Sequence, residues 1–130
     1  MNILVVEDDA VSRKVMTYFV NKYGDCQTAE DGEKAVELYK HAWEQGQPYN
    51  LICMDIKLPG MDGYDTIEKI REYEAKQNIP EFKKAKVIIT SGMDAGENIP
   101  KSFELGCVAF ASKPIEFAQF DSLLRELHLI

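Results

Sequence analysis

Leu51-Ile52-Cys53-Met54-Asp55-Ile56-Lys57-Leu58-Pro59-Gly60-Met61-Asp62-Gly63 is the stretch on which the fold turns. Four apolar residues run without a polar break, the pattern of a short strand covered on both faces. One carboxylate, Asp55, ends the run, and Pro59, Gly60 and Gly63 mark the loop that follows. Helical spacing then runs from about Tyr64 to Ala75 and predicts Ile67 and Ile70 facing inward.

The same alternation extends in both directions and recurs five times. Upstream, Ile3–Val6 reads as a strand, and residues 10–22 place Val11, Val15, Met16, Phe19 and Val20 on one helical face. Cys26–Ala29 is a second short strand, and Asp31-Gly32 is a turn signal. Glu33–Gln45 carries Ala35, Val36, Leu38, Tyr39, Ala42 and Trp43 at helical spacing, with Gly46 ending it. Downstream, Lys76–Ala85 is a long connection by the standard of α/β units. Val87–Thr90, a short helix over Ile99–Leu105, Val108–Ala111 and a last helix over Phe117–Leu127 complete the series. Strands alternating with helices predict a parallel sheet covered on both faces by right-handed crossovers.

The 130 residues fit one domain, 45% hydrophobic and 28% charged, with enough chain to bury a core without disulfides or metal staples. No apolar run approaches the roughly 18–20 residues that cross a bilayer. Met1-Asn2-Ile3-Leu4 enters a strand directly, without a basic leader, so a cytoplasmic location is expected. Cys26, Cys53 and Cys107 are widely spaced; a redox or metal role is weaker than a reading as reduced, mostly buried thiols. A net charge of −7 argues against direct nucleic-acid or acidic-membrane binding and suits a cation or a basic partner surface.

In open parallel sheets, ligands bind beyond the carboxyl ends of the strands. Those ends carry Glu7, Asp8 and Asp9 after the first strand, Asp55 after the third, Thr90 and Ser91 after the fourth, and Lys113-Pro114 after the fifth. Singly, each has an ordinary alternative: Asp8 or Asp9 as a helix cap, Thr90 or Ser91 as a loop start, Lys113 as a solvated lysine. Asp55 is harder to dismiss, because a carboxylate at the mouth of a central strand must be hydrated, paired or metal-bound. Clustered carboxylates suit a hard divalent ion such as Mg²⁺, which shields an anionic nucleophile from an anionic phosphoryl group. A lysine and a hydroxyl then hold phosphoryl oxygens while the Asp carboxylate forms an acyl phosphate.

With these residues in place, the chain resembles the receiver domain of two-component response regulators, the CheY-like family. The matching pieces are Val5-Val6-Glu7-Asp8-Asp9, Met54 to Gly63, Ile89-Thr90-Ser91-Gly92 and Ser112-Lys113-Pro114, in the family's order and spacing. The resemblance implies a three-layer (βα)5 fold with flavodoxin-like strand order 2-1-3-4-5, making residues 1–130 one receiver domain. By position it implies that Asp55 accepts the phosphoryl group and that Glu7, Asp8 and Asp55 hold Mg²⁺, Asp8 directly and Glu7 through water. Lys57 matches the position whose backbone carbonyl completes that metal site. Thr90 matches the switch hydroxyl, Lys113 the lysine that pairs with the phosphoryl group, and Phe110 the aromatic switch position. The proline after Lys113 is commonly cis in the family. The implied partners are a histidine kinase or His-phosphotransfer protein and a downstream protein target. The implied mechanism is a two-state shift that remodels the face of the fourth helix, fifth strand and fifth helix. Beyond phosphorylating and dephosphorylating itself, no enzyme activity is expected.

Two departures from the pattern matter. Phe110 lacks a tyrosine hydroxyl, and Lys57 with Gly92 flanks the path of an attacking water, which predicts a long-lived acyl phosphate. A haloacid-dehalogenase-type phosphatase needs a second acid two residues after its nucleophile, where this chain has Lys57. A flavodoxin-like cofactor protein needs a Ser/Thr-rich phosphate loop after the first strand, which is absent. The complete set of acids, hydroxyl and lysine argues against a receiver that only binds proteins.

Overall fold

Successive side chains along a strand point to opposite faces, and in this sheet that alternation sorts the apolar residues into two cores. The computed structural model describes residues 1–92 and 97–130. Leu4, Val6, Ile52, Met54, Val87 and Ile89 line one face, while Ile3, Val5, Leu51, Cys53 and Ile88 line the other. The strands are β1 (Asn2–Val6), β2 (Asp25–Ala29), β3 (Leu51–Asp55), β4 (Lys86–Ser91) and β5 (Cys107–Ser112). They form one parallel sheet in the order β2-β1-β3-β4-β5, as the resemblance implies.

Helices α1 (Ala10–Val20) and α5 (Phe117–Glu126) cover the second core with Met16, Val20, Phe120 and Leu124. Helices α2 (Gly32–Glu44) and α3 (Gly63–Lys76) cover the first with Ala35, Tyr39, Ile67 and Ile70. Helix α4 (Ile99–Glu104) is a short segment beside β5. Asp9, Asp31, Asp62 and Asn98 cap α1 to α4, each side chain accepting a backbone N–H from the first turn. Asp9 therefore takes the capping role, with Oδ2 accepting from Ser12 N at 2.8 Å, and Asp8 is left for another use.

The stripe predicted on α1 divides in two. Met16 and Val20 are buried, but Val11 is 71% exposed and Val15 also faces outward. Positions 11 and 15 form their own i,i+4 ridge, turned away from the 16 and 20 ridge that meets the sheet. Phe19 is partly buried and packs on Phe117 of α5, with ring centroids 5.4 Å apart. Strand β5 is longer than expected and carries a bulge: Val87 pairs with Cys107 and Ile88 with Ala109, so Val108 opposes no residue and is partly exposed.

The long connection between α3 and β4 holds a 3-10 turn over Glu81–Lys83. Beneath it lies a buried polar group with no signature in the sequence pattern. Glu74 is fully buried and is met by the Tyr39 hydroxyl and by Arg71, whose Nη1 donates to Oε1 at 2.9 Å. Arg71 also donates to the carbonyls of Leu105 at 2.9 Å and Ala85 at 3.0 Å, tying α3 to the start of β4 and the turn before β5. A buried carboxylate needs this degree of pairing to remain charged.

Candidate acidic site at the carboxyl edge of the sheet

Register places the chemistry. Val6 pairs with Met54 and Asp55 pairs with Thr90, so the residues leaving β1, β3 and β4 arrive at one edge. Glu7, Asp55 and Thr90 are each buried there, whereas Asp8 is exposed. One carboxylate oxygen from each of Glu7, Asp8 and Asp55 lies within 4.8 Å of the others. Lys113, half-buried after β5, reaches Asp55 Oδ2 at 3.3 Å and contacts Glu7 Oε1 more closely. The Lys113-Pro114 peptide bond is cis.

The electrostatics follow from this crowding. Burial pushes the Glu7 carboxyl above its ordinary value, and the neighbouring Asp55 pushes it the same way against the opposing pull of Lys113. Burial alone would lower Lys113, but the two carboxylates outweigh it and hold its ammonium above the usual lysine value. Three carboxylates cluster here and Lys113 pairs with two of them, an oxygen-only donor set short of positive charge. That is the chemistry of a hard divalent cation site, and these residues fit Mg²⁺.

Two neighbours shape the loops. Arg13 of α1 donates from Nη1 to the Glu7 carbonyl at 3.0 Å and the Asp8 carbonyl at 3.4 Å, holding the backbone that carries the acidic pair. Its only sequence signal is a cation one helical turn past Asp9. A Cβ on Gly63 would come within 2.3 Å of the Asp55 carbonyl, so only glycine lets the loop close against β3, with Gly63 N donating to Ile56 O at 2.8 Å.

Lys57 is exposed two residues past Asp55 and makes no ion pair among the described residues. Phe110 pairs in register with Ile89 and packs, partly buried, against the core under α2 and α3. It also lines a cavity shared with Ile115, Gln119 and Leu123 on the α5 side. Thr90 lies between Asp55 and Ala111 in the sheet register.

Comparison with known proteins gives the same picture. Residues 3–125 match the family model of the response regulator receiver domain. Over 126 residues the chain is 30% identical to "Probable histidine kinase 2" of Oryza sativa subsp. indica, covering 89% of this chain but 12% of that protein. The receiver domain of the histidine kinase CKI1 from Arabidopsis thaliana, crystallised with Mg²⁺ and BeF3⁻, superposes with a TM-score of 0.79. It is 29% identical and covers 99% of this chain and 90% of that one. The co-crystal structure of the Saccharomyces cerevisiae phosphotransfer protein Ypd1 with the receiver domain of Ssk1 gives 0.72 at 26% identity, covering 97% of this chain and 87% of that one. The chain belongs to the response regulator receiver domain family.

Proposed function

We propose that residues 1–130 act as one receiver domain that takes a phosphoryl group onto Asp55 from a histidine kinase or His-phosphotransfer protein. The observation that carries this reading is Asp55 itself: buried at a strand end, within 4.8 Å of Glu7 and Asp8, and 3.3 Å from Lys113. An Asp55 carboxylate oxygen attacks phosphorus, the P–N bond to the donor imidazole breaks, and an acyl phosphate forms as the imidazole leaves. Glu7, Asp8, Asp55 and the Lys57 carbonyl would hold Mg²⁺, which offsets charge between nucleophile and phosphoryl group when bound. Lys113 holds a phosphoryl oxygen, and the Thr90 hydroxyl turns toward another. Phe110 follows into the vacated space and biases the α4-β5-α5 face.

Exposed apolar side chains support a protein on each side of the transfer. Val11, Val15 and Tyr18 form an outward ridge on α1 beside Asp8, a surface suited to the phosphodonor protein. Ile99 and Phe103 of α4, with Val108 of β5, present a second exposed group where a downstream target would dock. Among the described residues no helix is long and apolar enough to cross a membrane. Cys26, Cys53 and Cys107 are free thiols, in keeping with the reducing cytoplasm that we propose as its compartment.

The test is incubation with a small phosphodonor and Mg²⁺, read by intact mass. One phosphoryl group is expected on the native chain and none on Asp55→Asn. No modification, or modification that survives in the variant, overturns the assignment.

A further inference from the structure

We propose that the pole of the sheet opposite Asp55 is a docking site for a short acidic peptide segment anchored by a bulky apolar side chain. Leu51 pairs with Lys86 at the start of β4, and Asp55 pairs with Thr90 near its end. Four residues of strand separate the two poles, about 13 Å at the rise of a parallel strand. A cavity of 570 Å³ opens at the far pole, lined by Phe82, Trp43, Pro48 and Leu129 together with Lys83 and Lys86.

Three features give this cavity its chemistry. Phe82, carried on the 3-10 turn, is 80% exposed, a large aromatic ring left in solvent at the rim. Lys83, Lys84 and Lys86 fall within four residues of a chain whose net charge is −7, so positive charge is concentrated where the whole carries the opposite sign. Lys84 is engaged with Glu81 at 3.0 Å, while Lys83 and Lys86 have no ion pair among the described residues. Lys83 Nζ stands 5.8 Å from the Phe82 ring, leaving cation and aromatic side by side at the rim. An apolar floor with a cationic rim complements an apolar anchor flanked by carboxylates. The acidic remainder of the surface opposes an extended polyanion such as nucleic acid, whereas a few acidic residues meet only the lysines.

Trp43 is the chain's single tryptophan and lines the cavity, so its fluorescence reports occupancy. The full chain is titrated with the peptide acetyl-Glu-Asp-Leu-Glu-Phe-Asp-Glu-amide, alongside Phe82→Ala and the double variant Lys83→Glu/Lys86→Glu. A saturable change is expected, with affinity at least about five-fold weaker in each variant, the loss typical of a removed anchor. Binding should also weaken between about 0.05 M and 0.5 M NaCl as the lysines are screened. Both variants change exposed side chains far from Asp55, so unaltered phosphorylation there confirms that they fold. The proposal is overturned by the absence of a saturable change, by native affinity in either variant, or by equal binding of a peptide with lysine at every acidic position. Self-association of the native chain that both variants abolish also overturns it, in favour of a second copy as the occupant.

Discussion

The Lys113 ammonium bridges Glu7 and Asp55, lying 3.3 Å from the Asp55 carboxylate and closer still to Glu7. One cation therefore offsets two buried acids from different strands, and an arriving phosphoryl group would draw it away from Glu7. Lys113→Gln should leave the two carboxylates without their shared cation and should remove a charged donor from the phosphoryl oxygens. Initial phosphorylation of Asp55 by a small phosphodonor should slow about 100-fold, the effect of losing one such donor. A rate within two- to three-fold of native, about 0.5 kcal/mol, would show that Lys113 is structural only.

Lys57 stands exposed beside the same edge. A cation near the acyl phosphate lowers the energy of its ground state, so Lys57→Ala should shorten its lifetime. The effect of an exposed charge is modest, about two- to five-fold in the decay rate. Decay followed by intact mass after removal of the phosphodonor provides the measurement; unchanged or slower decay in the variant refutes the role.

Arg71 neutralises a carboxylate that has no access to water. Arg71→Ala strands Glu74 and should cost about 3–5 kcal/mol in urea unfolding, the usual result of breaking a buried pair from one side. The double variant Arg71→Ala/Glu74→Gln should recover part of that loss, because the stranded charge is gone. If the two substitutions simply add, the pair is not coupled.

Tyr23 of the α1–β2 connection donates its hydroxyl to Asp121 of α5, which also accepts from Arg125 at 2.9 Å. Burial, then the Asp121 carboxylate, pushes the phenol up to about 12. A folded-state value above the unfolded one means that the folded chain holds the proton more tightly. The stabilisation is therefore full below about pH 10 and is lost as pH rises toward 12. Burial also raises Tyr39 and Tyr49, so phenolate absorbance should show one late-titrating tyrosine fewer in Tyr23→Phe than in the native chain. An unchanged number of late-titrating tyrosines in the variant would refute the shift at Tyr23.

The strand and helix series was legible because its signals are local. Leu51 to Met54 shows a doubly covered strand in four consecutive letters, and Asp31-Gly32 and Gly46 mark the two ends of α2 within a turn of where they act. The acids after β1 and β3 were legible for a related reason: in a parallel sheet, strand ends meet at one edge whatever the side chains between them. Which of Asp8 and Asp9 caps α1 was open in the sequence, since both types favour that position. The backbone path out of β1 chose Asp9.

By itself, the sequence determined the alternation of elements, the parallel sheet and the candidates Glu7, Asp8, Asp55, Thr90 and Lys113, because periodicity and strand-end polarity are written in neighbouring residues. Only the tertiary structure decided how those candidates meet: Lys113 closer to Glu7 than to Asp55, and Arg13 gripping the loop that carries the acids. It likewise decided that Val11 faces solvent while Met16 faces the sheet, and that Glu74 is buried against Arg71 and Tyr39. The physical reason is range. Helix rotation and charge pairing are settled by packing between segments distant in the chain, and no local pattern records the angle at which they come together.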